Sequence, residues 1–216
     1  MRKYEKIETI FARDTEGTKK LMEGVFRNPT IEFLQYCDWV WTEKVDDTNI
    51  RVYWDGHTVT FGGRTDNAAI PAELVTRLNE LFGGEINAQI FEQAFGDKEV
   101  ILFGEGYGRK IQKGGGKYIS DGVDFILFDV LIGENYQERE WVEKTAKLFG
   151  IKVVPIVGGG SIEDAINYVK QHPDSVIAED QREMEGIVCR PATELRDRCG
   201  NRVIIKIKWE DMKELV

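Results

Sequence analysis

Strands and helices that do not follow a regular β–α–β order predict an α+β fold, with mixed, mainly antiparallel sheets and flanking helices. The Asp55-Gly56 pair between two aromatic and β-branched runs is a hairpin signal, and hairpin strands are antiparallel. Helical periodicity comes in separate blocks bounded by glycine or proline, and the chain closes on further strands.

Trp39 to Lys44 has the aromatic and β-branched content of a strand. Thr48 to Trp54 is a second, with Ile50, Val52 and Trp54 on one face. Thr58 to Phe61 follows the turn, which leaves His57 as a hairpin residue. Pro71 opens a helix in which Leu74, Leu78 and Leu81 share a face, and Gly83-Gly84 stops it. Another helix follows, Glu85 to Phe95. Strands are expected at Glu99 to Gly104 and Val123 to Ile132, separated by an exposed, mobile, glycine-rich basic loop, Gly106 to Lys117. Glu138 to Phe149 reads as a helix and Ile151 to Val157 as a strand. Gly158-Gly159-Gly160 reads as a flexible connection, and Ser161 as the N-cap of the next helix. Gly186 to Cys189 and Val203 to Trp209 complete the strands.

At 216 residues the chain is expected to form one domain, 1–216. A net charge of −9 argues against a protein that coats nucleic acid nonspecifically, but it leaves room for a local basic track. Cys37, Cys189 and Cys199 form no CxxC pair, which suggests reduced thiols in a cytoplasmic protein. No apolar run approaches the ~18 residues of a membrane span, and the polar start, Met1 to Lys6, has no signal-peptide character.

Two phosphate-loop patterns fail. In Gly104-Glu105-Gly106-Tyr107-Gly108-Arg109 an arginine stands where the third glycine of GxGxxG belongs. Gly114-Gly115-Gly116-Lys117 is followed by Tyr118 where a P-loop needs Ser or Thr. A different series succeeds as a set. It comprises Glu43-Lys44-Val45-Asp46-Asp47-Thr48-Asn49, Leu102 to Gly106, Phe125 to Val130, Glu185 to Arg190 and Ile205-Lys206-Ile207-Lys208-Trp209. Each places a charged or aromatic residue in or beside a hydrophobic strand. Lys206 and Lys208 alternate with Ile205 and Ile207, so the two lysines share one sheet face.

In order and spacing these segments resemble the nucleotidyltransferase motifs of the covalent ligase and capping-enzyme superfamily. The nearest pattern is the RNA ligase branch related to the second RNA ligase of phage T4, whose lysine motif reads approximately EKxxGxN. The departure is Asp47 in place of glycine, at a turn where glycine would supply positive φ.

The resemblance implies the ATP-grasp-like nucleotidyltransferase domain of covalent ligases. It also implies an ATP-dependent RNA ligase acting in RNA repair: Lys44 takes AMP from ATP, passes it to an RNA 5′-phosphate, and a 3′-hydroxyl displaces AMP. A lysine nucleophile must be neutral although its reference pKa is about 10.4, and nearby cations and partial desolvation favour the neutral amine. Lys206 and Lys208 would supply that field and grip the α-phosphate. Glu105 would hold a ribose hydroxyl, Phe128 would stack on adenine, and Asp129 would brace the site. Phe125 is the alternative stacker if the strand register is shifted. Glu185 would sit at a Mg2+ or Mn2+ ion, and Glu43, Asn49 and Arg64 would face the nucleotide or RNA end. Asn49 replaces an arginine common in DNA ligases, which favours the RNA branch. Arg109, Lys110, Lys113 and Lys117 are candidate phosphate contacts.

The alternatives are a capping guanylyltransferase, a DNA ligase, or a nucleotide-sensing or RNA-end-binding module that adenylylates without ligating. Only eight residues follow Lys208, so no separate C-terminal domain is expected. A protein partner could then orient the RNA ends. A monomer is expected, with no membrane partner.

Overall fold

The turn at Asp55-Gly56 closes as its sequence dictates: the Asp55 carboxylate accepts the N–H groups of His57 at 2.8 Å and Thr58 at 2.7 Å. The computed structural model describes residues 1–109, 111, 117–213 and 215. In chain order the first elements are β1 (Glu8–Thr9), β2 (Phe11–Arg13), β3 (Leu21–Phe26), α1 (Pro29–Leu34), β4 (Trp39–Glu43), β5 (Thr48–Trp54) and β6 (Val59–Gly62). Then come α2 (Ala72–Phe82), α3 (Gly84–Phe95), β7 (Val100–Gly108), β8 (Val123–Ile132), β9 (Asn135–Tyr136) and α4 (Arg139–Phe149). The last are β10 (Lys152–Val153), β11 (Ile156–Gly160), α5 (Ile162–Lys170), β12 (Gly186–Pro191), β13 (Ile205–Lys208) and α6 (Trp209–Met212). The architecture is α+β, as expected, with β1–β13 and β10–β8 as its parallel strand pairs. Among the described residues no helix is long and apolar enough to cross a membrane.

The chain gathers into two compact units. The first comprises Met1–Glu5, Asp46–Val154 and Ile177–Asp180. Its sheet runs β10-β8-β7-β5-β6, with β9 on β8. Ile50, Val52, Trp54, Leu102, Phe125 and Leu127 pack from one sheet face against Leu74, Leu78, Phe82, Phe91 and Phe149 of the helices. Each such side chain contributes about 1.5–3 kcal/mol on burial. Gly104 is required under this layer, because a Cβ there would lie 2.2 Å from Phe125.

The second unit comprises Lys6–Val45, Pro155–Val176 and Gln181–Val216. Its main sheet runs β1-β13-β12-β4-β11, and β2–β3 form a separate hairpin. Trp39, Trp41, Ile187, Cys189, Ile205 and Ile207 pack against Ile162, Ala165 and Val169 of α5. Ser161 starts α5 with a reciprocal capping box to Asp164, as its N-cap position predicts.

The structure corrects several elements. The single strand expected over Ile151 to Val157 is two strands in different sheets: Val154 N–H donates to Leu127 at 2.9 Å, whereas the Pro155 carbonyl accepts from Glu43 at 3.1 Å. Gly158-Gly159-Gly160 is not a loop but part of β11, paired with β4. Gly158 lies under the Trp41 indole, where a Cβ would come within 2.4 Å of Nε1, so glycine here serves packing and not flexibility. The strand expected to stop at Gly104 continues to Gly108, so the expected loop starts later. Gly106 therefore lies within β7, where the Leu74 side chain takes the space a Cβ would need, 2.3 Å away. Within the expected Gly106 to Lys117 loop, Lys110 and Gln112 to Gly116 lie outside the described residues.

Candidate active site

In the second unit, three of the expected residues meet. The N–H of Lys44 donates to the Gly186 carbonyl at 3.0 Å, which carries the β4–β12 ladder one residue beyond the strand. Gly186 in turn pairs with Lys208 on β13. Gly186 has φ +156°, and a Cβ there would lie 2.2 Å from the Ile207 carbonyl oxygen, so glycine alone permits this approach. Directly before it, Glu185 accepts the Trp209 N–H through its carbonyl at 3.0 Å. Its carboxylate, only 14% exposed, accepts from Lys44 Nζ with Oε2 and pairs with Lys208 Nζ through Oε1. One carboxylate thus holds two ammonium groups.

Lys206 lies on the same face as Lys208, while Ile205 and Ile207, which alternate with them, are in the core, as the alternation predicts. Both lysines border a cavity of about 410 Å³ whose other cations are Lys6, Arg13 and Arg27. Glu43 behaves differently from its neighbour. It is 1% exposed, and its carboxylate accepts from the Ser175 hydroxyl and from the Val176 N–H at 2.9 Å. This buried carboxylate pins the strand end that carries Lys44, so Glu43 is turned inward and not presented to a ligand.

In the first unit, Asn49 and Glu105 are cross-strand partners on β5 and β7, and Ile126 on β8 is next in line. Asn49 Oδ1 is buried and has no hydrogen-bond partner among the described residues. Between Phe103 and Gly104 the β7–β8 register shifts: Gly104 opposes Leu127 and Phe103 opposes Asp129, so Phe128 is the extra residue of a β-bulge. In a regular strand Phe128 and Asp129 would point to opposite faces. Here the Tyr4 ring meets Phe128 at 5.0 Å between centroids, and its hydroxyl donates to Asp129 Oδ2 at 2.7 Å, so both side chains face the same way. Phe128 is half-buried, whereas Phe125 is fully buried in the core and closed off as a stacking surface.

Arg64 is exposed, directly after a segment held by Arg51. Arg51 is fully buried, donates from Nε to the Gly63 carbonyl at 2.7 Å and from Nη2 to Asp66 at 2.9 Å. Asp47 does not take the positive φ that glycine would supply; its carboxylate accepts the Gly108 N–H at 3.2 Å. In the basic segment Arg109 and Lys117 are exposed, with Arg109 paired to Asp121 at 3.4 Å, and Lys110 and Lys113 lie outside the described residues. Sequence reasoning missed Tyr4, Arg51 and Ser175. Of these only Arg51 left a signal, an arginine between the core residues Ile50 and Val52.

The RNA ligase family pattern matches residues 38–208, the span that holds every site residue expected from the sequence. The chain belongs to the RNA ligase family. No curated protein sequence matches it. Among solved structures it is similar to RNA ligase of Naegleria gruberi. A mutant with ATP and Mn has a TM-score of 0.66 at 19% identity, covering 100% of this chain and 58% of that one. The same ligase with PPi has a TM-score of 0.62 at 20% identity, covering 98% and 63%. An apo mutant has 0.64 at 18%, covering 98% and 63%. These likenesses establish the nucleotidyltransferase fold of the ligases, and the chain spans about three-fifths of the length of those structures.

Proposed function

We propose that this chain is an ATP-dependent RNA ligase of the kind that carries AMP on Lys44. The observation behind this reading is the Glu185 carboxylate, which holds Lys44 and Lys208 together at the ends of three paired strands. Attack requires a neutral amine, so the contact between Lys44 and Glu185 has to give way first. Nζ then bonds to the α-phosphorus, its proton is lost, and the bond to the bridging oxygen breaks with its electron pair leaving on pyrophosphate. AMP next passes to an RNA 5′-phosphate, which breaks the N–P bond and restores the amine. A 3′-hydroxyl finally displaces AMP and closes the phosphodiester.

Lys206 and Lys208 grip the α-phosphate, and Glu43 keeps the strand end in place. Phe128 stacks on adenine with Asp129 as its brace, Glu105 takes a ribose hydroxyl, and Asn49 and Arg64 meet the nucleotide or the RNA end. Glu185 suits Mg2+ or Mn2+: it is a hard oxygen donor, and magnesium needs only one or two carboxylates beside phosphate oxygens and water. Among the described residues no group of three or more His, Cys, Asp or Glu offers a fuller cage. Bound there, the ion would stabilise charge on the transferring phosphoryl group. The Naegleria gruberi ligase solved with ATP and Mn supports the same nucleotide and metal.

The test is incubation with α-labelled ATP and Mg2+ or Mn2+, followed by RNA carrying a 5′-phosphate and a 3′-hydroxyl. Label is expected on the protein, then on the RNA end, then released as AMP with a joined strand, and Lys44→Ala should abolish all three. No protein label with any nucleotide refutes the reading. Label without joining restricts it to adenylyl transfer, and joining of matched DNA ends in preference to RNA would reassign the substrate.

A further inference from the structure

Tyr4 belongs to the same unit as β8, 125 residues away from its hydrogen-bond partner Asp129. Its ring makes a T-shaped contact with Phe128 at 71° and also packs on Phe103 at 4.9 Å and Tyr136 at 6.1 Å. The backbone leading to it is anchored as well: the carbonyls of Met1 and Arg2 accept from Nη1 of the buried Arg51 at 3.0 and 3.4 Å. Phe128 itself is the extra residue of a bulge and only half-buried. A ring in that situation is touched on part of its surface only, so the rigid groups packed against it set its plane. Tyr4 is such a group, held through its ring by Phe103 and Tyr136 and through its hydroxyl by Asp129.

We infer that Tyr4 is a positioning residue for base recognition, fixing the Phe128 ring and the Asp129 carboxylate before the purine arrives. The inference rests on the reading that Phe128 stacks on adenine. A stacking surface that is already ordered loses less freedom on binding, so Tyr4 acts on nucleotide affinity and not on the phosphoryl-transfer step. It touches neither the nucleotide nor the reacting atoms.

The experiment is a double-mutant cycle read in the formation of the lysyl-AMP. Tyr4→Ala is expected to raise the KM for ATP about 3- to 10-fold with little change in kcat. Tyr4→Phe, which keeps the ring, should recover most of that loss. In a Phe128→Ala background Tyr4→Ala should raise the KM clearly less, because only its route through Asp129 is left. An unchanged KM in Tyr4→Ala, or an equal rise in both backgrounds, would overturn the inference, as would a fall in kcat alone. A second measurement needs no activity: aromatic 13C relaxation of Phe128 in the nucleotide-free protein, compared between the wild type, Tyr4→Phe and Tyr4→Ala. Greater ring mobility in Tyr4→Ala alone is expected, and equal mobility in all three refutes the positioning role. A wild type that takes no label refutes the ligase reading, while the relaxation data still decide whether Tyr4 orders Phe128.

Discussion

The side chains of Lys44 and Glu185 touch, ammonium to carboxylate, across 141 residues of sequence. The same carboxylate holds Lys208, so its removal leaves two ammonium groups facing each other at the strand ends. Glu185 is also the carboxylate proposed to hold the metal ion, so Glu185→Ala is expected to lower the rate of lysyl-AMP formation about 10²- to 10³-fold, the usual scale for losing one preorganised electrostatic group at the reacting centre. Single-turnover labelling with α-labelled ATP measures it. A rate within threefold of wild type would show that the carboxylate is only a tether.

Two phenylalanines on one strand should respond in opposite ways. Phe128 is half-buried on the bulge, and Phe125 is fully buried beside Gly104 and Phe82. Phe128→Ala should weaken ATP use by roughly 1–3 kcal/mol, the value of one base–aromatic stack, with little change in unfolding temperature. Phe125→Ala should destabilise the fold by about 3–5 kcal/mol and leave the apparent ATP affinity of the folded fraction unchanged. Thermal melts beside ATP titrations separate the two, and a stable Phe125→Ala with poor ATP use would exchange the roles.

Much of the fold was legible because burial leaves a period. Ile50, Val52 and Trp54 alternate and are all in the core, and Leu74 and Leu78 mark the buried face of α2. Lys206 and Lys208 could be placed on one face by the same logic. The segments before Trp39 were not legible: β1 and β2 have two and three residues, and β3 is exposed over most of its length, so neither period shows. Glycine was misread where it served packing, since the sequence of Gly158 does not reveal that an indole lies over it. The contact of Tyr4 with Phe128 and the inward turn of Glu43 onto Ser175 depend on tertiary placement, which local pattern does not encode.

Arg51 gives a pH-dependent stability that can be checked. Its hydrogen bond holds the Asp66 carboxyl below the usual carboxylate range. A carboxylate with a depressed folded-state pKa stabilises the fold fully above its unfolded value of about 3.9, and the contribution disappears as pH falls through the folded value. Asp66→Asn should therefore lower the Tm at about pH 7, with the gap to wild type closing below about pH 4. Calorimetry across that range tests it. A gap that stays constant with pH would assign the effect to packing.

The three cysteines should divide by reactivity. Cys37 and Cys199 are exposed, whereas Cys189 is buried and burial pushes its thiol pKa upward. The thiolate is the reacting form, so a thiol-specific chromogenic reagent at neutral pH should count two groups in the native protein and three after denaturation. Three fast-reacting groups in the native state would mean that the sheet around Cys189 opens readily.

With Phe128 stacking on adenine as proposed, its place on a bulge makes base recognition depend on counting as much as on chemistry. Losing one codon from β8 at this point would restore an even ladder with β7, and one of the two neighbouring groups, the aromatic or the carboxylate, would change sides. Homologues or designed variants could thus keep every residue type in this strand and still lose the purine, through a one-residue frame slip that no substitution table would flag.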